Sequence, residues 1–206
     1  MKQLMNTNDY EGYLKKQWKM VDRIYELKLF SKHIDIIEQF LQIYPEDTSL
    51  DSLQILCVGA RYGIEMLAFE QLGFKYENIK AIDIYPRNEQ IINADMHDMP
   101  FGSNCFDIIY SHHSLDHSLF PEKALSEIKR VSTKDSYWLL TIPYNDFGKE
   151  ESIDFDTAEE VESYVTRFKS NILYRKAVTR NADGFVEPKD TWLPKGWKNE
   201  IRLIVN

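Results

Sequence analysis

The stretch from Leu53 to Ile84, LQILCVGARYGIEMLAFEQLGFKYENIKAIDI, limits the fold more than any other part of this chain. It reads as a buried strand from Leu53 to Val58, a glycine turn from Gly59 to Gly63, an amphipathic helix from Ile64 to Leu72 and a second apolar strand from Lys80 to Ile84. Strand, helix and strand in that order make a βαβ unit, and such a unit implies parallel strands with helices packed on them. Glycine at the turn lets a ligand approach the main chain, and the helix N-terminus behind it offers unpaired N–H groups and a positive dipole end. The carboxylate ending the second strand, Asp83, stands where it would accept both hydroxyls of a ribose. The plainer alternative is that Gly59 and Gly63 only shape a turn and Asp83 is an ordinary strand-end residue.

Upstream, residues Asn8 to Tyr44 place apolar side chains at helical spacing, with Tyr13, Trp18, Ile24, Leu27, Phe30, Ile34, Ile37 and Phe40 as candidate buried residues. Two or three helices are predicted there, closed by Pro45 and the polar PEDTSLDS segment, so that residues 1–50 form a cap on a domain spanning 51–206. Such a cap either walls a ligand site or covers a sheet edge. Downstream of Asp83, only Tyr85 to Gln90 precede the next apolar run, IINADMH, whereas a crossover between parallel strands normally takes about a dozen residues. Pro86 restrains Tyr85 to extended geometry, so the crossover helix is expected to be missing or reduced to one turn and the third strand short.

The run FDIIYSHH predicts a central parallel strand over about Phe106 to Ser111, followed by a helix opening at Pro121 with Ala124, Leu125, Ile128 and Val131 at core spacing. YWLLTIP is a fifth strand, Thr157 starts a further helix, and NILYRKAV and EIRLIV are the last two strands. Between these two lies a long polar loop bearing Trp192 and Trp197, readable as a lid, an oligomer contact or a plain hairpin tip.

Charge and composition narrow the function. The formal net charge of −8, with Lys and Arg scattered, lacks the footprint of a nucleic-acid binder. No run approaches the roughly 20 apolar residues of a membrane helix, and a cytoplasmic protein without a signal peptide is expected. The two cysteines, Cys57 and Cys105, support neither a disulfide framework nor a metal cage. His112, His113 and His117 match no standard metal-ligand spacing, and no metal is expected.

Taken in order, these parts resemble the class I S-adenosylmethionine-dependent methyltransferases, nearest to the small-molecule type, over roughly Leu53 to Pro143. LCVGARYG resembles the glycine-rich first motif, AIDI the acidic second, NADMHDMPF the adenine-facing third and FDIIYSHHSLDHS the fourth. The resemblance implies an α/β, three-layer Rossmann-like fold with a mostly parallel seven-stranded sheet whose last strand is antiparallel. It also implies S-adenosylmethionine as cofactor. By the same resemblance, the backbone around Gly59, Ala60, Arg61 and Gly63 would line the methionine and ribose portions, and Asp83, with Ile84 beside it, would hold the ribose. Asp95 and Met96 would face the adenine, and Ser111 and His112 would border the sulfonium.

The sequence departs from the family pattern at Cys57, where an acidic residue is usual, at Arg61, where a further glycine is usual, and in the shortened crossover. Asp116 also replaces the more usual Glu before His117. Methyl transfer is an in-line displacement that depends chiefly on alignment in a dry site, with a base useful for a hydroxyl or ammonium acceptor. His113 and His117 are the candidate bases, the alternative being that Asp116 and His117 brace the following helix. The acceptor is expected to be a small molecule, neutral or cationic or a sugar, and a homo-oligomer is compatible with the sequence. A catalytically inactive binding or regulatory module on the same fold is the alternative function. A nicotinamide-dependent oxidoreductase ranks last, because Arg61 interrupts the dinucleotide fingerprint.

Overall fold

The computed structural model describes residues 2–3, 30–45, 48–144, 153–178 and 199–206. Its frame is a seven-stranded sheet. The strands are β1 (Ile55–Val58), β2 (Ile79–Asp83), β3 (Ile92–Asn93), β4 (Phe106–His112), β5 (Ser132–Tyr144), β6 (Ile172–Val178) and β7 (Asn199–Val205). Among the described residues, four helices pack on it: α1 (Phe30–Ile43), α2 (Ile64–Gln71), α3 (Pro121–Val131) and α4 (Ala158–Thr166). The strands lie in the order β3-β2-β1-β4-β5-β7-β6. β1 to β5 are mutually parallel, and β7 runs antiparallel to both of its neighbours, as the family resemblance implied.

Three layers follow from the alternation of buried side chains along β1. Leu56 and Val58 join a core with Leu125, Ile128, Val161 and Val165 of α3 and α4, whereas Ile55 and Cys57 join one with Ile36, Ile37 and Phe40 of α1 and Phe69 of α2. A strand covered on both faces has no place for a polar residue, which is why ILCV reads as a continuous apolar run. Full burial of each such aliphatic side chain stabilises the fold by roughly 1.5–3 kcal/mol.

The short crossover after β2 contains no helix, and β3 is only two residues long. Hydrogen bonds replace the missing helix. Tyr85 N donates to Asp83 Oδ1 at 2.7 Å, Asn93 Nδ2 to the Ile84 carbonyl at 2.8 Å, and Arg87 N to the Arg61 carbonyl at 2.7 Å. The last of these ties the crossover to the glycine turn.

Pro121 opens α3 with its missing N–H at a position that needs none, and Thr157 caps α4 by accepting from Glu160 N at 3.2 Å. β5 is longer than YWLLTIP alone suggests, starting at Ser132 and passing an irregularity opposite Phe106–Ile108. Of the N-terminal candidates, Ile37 and Phe40 are fully buried in α1 and Ile34 is half-buried, while Tyr13, Trp18, Ile24 and Leu27 lie outside the described residues, as does the tryptophan-bearing loop. Among the described residues no helix is long and apolar enough to cross a membrane.

Candidate functional site

The chain passes from β1 outward through β2 to β3, then returns to build β4 and β5 on the other side of β1. The carboxyl ends of β1 and β4 therefore flank a topological switch point, where an open α/β sheet leaves a crevice. Register carries residues to that edge together: Val58 lies opposite Ser111 and Ile82, and His112 opposite Thr141. Gly59, Asp83, Ser111 and His112 thus gather at one edge.

The turn after β1 is fixed from below. Gly59 N and Ala60 N both donate to the Ile82 carbonyl, at 2.8 and 3.1 Å, and Gly63 N donates to the Ala60 carbonyl at 2.6 Å. Gly59 has φ of +79° and Gly63 of +76°, a region that costs other residues strain. A Cβ at Gly59 would lie 2.3 Å from Ser114 Oγ, so the loop after β4 sits directly on the turn.

Asp83 is 6% exposed, and both its oxygens face this turn and the crossover. Its Oδ2 accepts from Arg61 N at 3.2 Å, its Oδ1 accepts from Tyr85 N, and Arg61 Nε stands 3.8 Å from Oδ1. Asp95, beyond β3, accepts on Oδ1 from His97 N at 2.9 Å and lies 2.5 Å from His97 Nδ1. Because His97 Nε2 accepts from Phe120 N at 3.2 Å, the ring proton belongs on Nδ1 and points at Asp95; Ser118 Oγ, at 2.7 Å, then donates to Nε2 as well. His97 therefore braces Asp95 against the loop after β4. Met96 packs partly buried on the core, and the following segment is clamped by a bidentate Glu127–Arg130 pair that also bonds Met99 N and the Met99 and Phe101 carbonyls.

Beyond β4 the site is lined by imidazoles. His112 has both ring nitrogens buried with no hydrogen-bond partner, and its ring lies 4.8 Å from that of His33 and 4.5 Å from that of His113. Burial first, and then the neighbouring imidazoles, push its pKa well below the usual histidine value. His33, from α1, bonds Tyr110 Oη at 2.6 Å, and burial together with the Lys32 charge lowers its pKa to about 3. His113 takes a left-handed backbone, with φ of +51°, and bonds Glu200 Oε2 at 3.0 Å.

Glu200 is fully buried on β7 and is also held by Arg202 at 2.7 Å and by Lys32 at 3.9 Å. Burial alone would raise its pKa, but the hydrogen bond from His113 and the charges of Lys32 and Arg202 prevail and hold it well below the usual range. His117 ends a single 3-10 turn, Leu115–His117, with Nε2 3.5 Å from Asp116 Oδ2.

Most of the expected site residues thus fall into two neighbouring groups. Gly59, Ala60, Arg61, Gly63, Asp83 and Ile84 surround the turn and crossover, and Ser111, His112 and His113 end β4 beside them. Asp95 and Met96 follow β3, and His117 lies in the loop leading to α3. Sequence reasoning passed over Glu65, His97, His33, Glu200 and Arg202. For the last two a signal existed: charged residues at alternate positions of the otherwise apolar EIRLIV place two charges on one face of a buried strand.

One chemical property unites this edge. Arg61 Nε, Glu65 Oε2, Ser111 Oγ, both nitrogens of His112 and Asp116 Oδ1 are buried without a hydrogen bond. Proteins pair nearly all such atoms, and each one left unpaired costs about 1–3 kcal/mol. Among the described residues, Tyr164 Oη on α4 is also buried without a hydrogen bond, away from this edge.

Residues 56–140 match the family model of the methyltransferase domain. No curated protein matches the sequence. Among solved structures, the chain is similar to 1,6-didemethyltoxoflavin-N1-methyltransferase of Burkholderia thailandensis, solved with 1,6-didemethyltoxoflavin and S-adenosylhomocysteine. That match has a TM-score of 0.68 and 14% identity, over 100% of this chain and 92% of that one. It is also similar to a chain from the complex of the Haloferax volcanii Trm112 methyltransferase activator with a protein designated a methyltransferase, at a TM-score of 0.60 and 12% identity over 97% and 96%. A third, phosphoethanolamine N-methyltransferase 2 of Haemonchus contortus, aligns at a TM-score of 0.55 and 14% identity over 71% of this chain and 38% of that one.

Proposed function

We propose that this chain, whose residues 56–140 match the methyltransferase-domain model, is a class I S-adenosylmethionine-dependent methyltransferase that transfers the methyl group of S-adenosylmethionine to an oxygen or nitrogen of a small molecule. The observation that carries this is the row of buried, unpartnered polar atoms along the carboxyl edge of β1, β2 and β4, beside a glycine turn. These residues fit the cofactor. Asp83 would accept the ribose hydroxyls, with Ile84 beside it, and the turn from Gly59 through Ala60 and Arg61 to Gly63 would line the methionine end. Asp95, aimed by His97, would take the adenine amino group with Met96 on the ring, and Ser111 and His112 would border the sulfonium.

When bound, the cofactor supplies an electrophilic methyl carbon. The protein's part is to align the acceptor with it and exclude water. His113, oriented by Glu200, is the candidate base for the acceptor's proton, with His117 as second candidate. Residues 1–50 would form the wall of the acceptor site, α1 bringing Lys32 and His33 to it. The small-molecule acceptor of the Burkholderia thailandensis enzyme supports this class of substrate.

A catalytically inactive binding module is the second reading, favoured by Arg61 Nε at 3.8 Å from Asp83 and by Ser114 seated on Gly59. Calorimetric titration with S-adenosylmethionine and S-adenosylhomocysteine, on the native chain and on Asp83→Ala, decides. Micromolar binding lost in the variant supports the methyltransferase. Absence of binding to the native chain overturns it.

A further inference from the structure

We propose that Glu65 is the partner of the α-ammonium group at the methionine end of the cofactor, ionising as that group binds. The inference rests on the assignment of the site to S-adenosylmethionine. Glu65 occupies the first turn of α2, immediately behind the glycine turn. Its Oε2 is shut from solvent and takes no hydrogen bond. The titratable groups facing it are Asp83 from β2, Cys57 from β1 and Tyr110 from β4. None is a cation: one is a carboxyl, and burial keeps the thiol and the phenol protonated.

Burial raises the Glu65 pKa to about 8; a hydrogen bond from its own backbone N–H opposes the shift and Asp83 reinforces it, so the carboxyl keeps its proton. Two ligand chemistries answer an isolated acidic oxygen, a cation and a hydrogen-bond donor. A primary ammonium is both. The cofactor's other positive centre, the sulfonium, has no N–H to offer. Once an ammonium lies against it, the carboxylate is the favoured form, so the O–H bond ionises and the proton leaves to the buffer with no change of oxidation state.

Titration with S-adenosylhomocysteine at pH 7, in phosphate and in Tris, measures this directly, because the two buffers differ in ionisation heat. The native chain should release close to one proton per ligand. Glu65→Gln should release none and bind about tenfold more weakly or worse. 5′-Methylthioadenosine keeps the adenosine and thioether but lacks the amino-acid end; it should bind native chain and variant equally, without proton release, showing that the variant's site is folded. Equal affinity of both proteins for S-adenosylhomocysteine, or no proton release from the native chain, overturns the role of Glu65 while leaving the cofactor site standing. Failure of both ligands to bind the native chain overturns the site and this role together.

Discussion

Gly59 is the residue on which the site's geometry turns most directly, because two independent constraints meet there. Its φ of +79° costs a side-chain-bearing residue about 1–2 kcal/mol, and a Cβ would stand 2.3 Å from Ser114 Oγ. Gly59→Ala should therefore destabilise the protein by about 2–3 kcal/mol, lowering Tm by roughly 2–4 °C for each kcal/mol in a chain of this size. Gly59→Ala with Ser114→Gly should recover the part owed to the contact and keep the part owed to the backbone; an unchanged Tm in the single variant would contradict both. This residue was legible in the sequence, as was Asp83, because a glycine turn and a strand-end carboxylate are local backbone chemistry. The charged and imidazole cluster was not. His33 meets Tyr110 across 77 positions and His113 meets Glu200 across 87, and no local pattern announces pairings made by sheet order. The short spacing from Asp95 to His97 was available, but His97 acquires its role only when Phe120 N and Ser118 fix its tautomer from another loop.

At the level of elements, α1 is held to β4 by a buried histidine and α2 carries a buried carboxyl, and the two titrate in opposite senses. His33 has its pKa lowered to about 3 from 6.5. Below pH 6.5 the unfolded chain takes up a proton that the folded chain refuses, so stability is lost as pH falls from 6.5 toward 3, by at most about 1.4 kcal/mol per unit from this group. Subtracting the denaturation curve of His33→Gln from that of the native chain should isolate this slope, since other carboxyls titrate in both. A difference that stays flat below pH 6.5 would mean His33 is solvated. Glu65 has its pKa raised to about 8 from 4.5, so here the folded chain holds a proton that the unfolded chain releases, and stability is lost as pH rises from 4.5 toward 8. Glu65→Gln should gain stability over the native chain across that window in the absence of ligand. The elements themselves were the most legible part of the chain: β1, α2, β2, β4, α3 and β5 follow from period and punctuation. The missing crossover helix followed from spacing and Pro86. What spacing could not give is its substitute, the Arg87-to-Arg61 hydrogen bond, because that bond depends on where the turn after β1 lies in space.

For the molecule as a whole, the same unpartnered atoms that mark the site also set how the fold should respond to its ligand. The two cores on either side of the sheet are closed by apolar contacts that owe nothing to the cofactor, whereas the edge built from the loops after β1, β2 and β4 carries buried polar atoms that only a ligand or solvent can pair. Anything that binds the native state alone stabilises it by about 2.7 kcal/mol at a hundredfold excess over Kd. For a chain of this length that is a rise in Tm of roughly 5–11 °C with S-adenosylmethionine, absent in Asp83→Ala. The protection should also be uneven. Hydrogen exchange should slow in residues 59–65, 83–95 and 111–118, while the amides of β5 and β7, already paired over seven consecutive positions from Trp138↔Val205 to Tyr144↔Asn199, exchange at unchanged rates. Uniform slowing across both regions would mean that the ligand acts on global stability alone. Slowing confined to α4, whose buried Tyr164 Oη is also unpartnered, would place the ligand on the far side of the molecule and refute the site at the β1–β4 crevice.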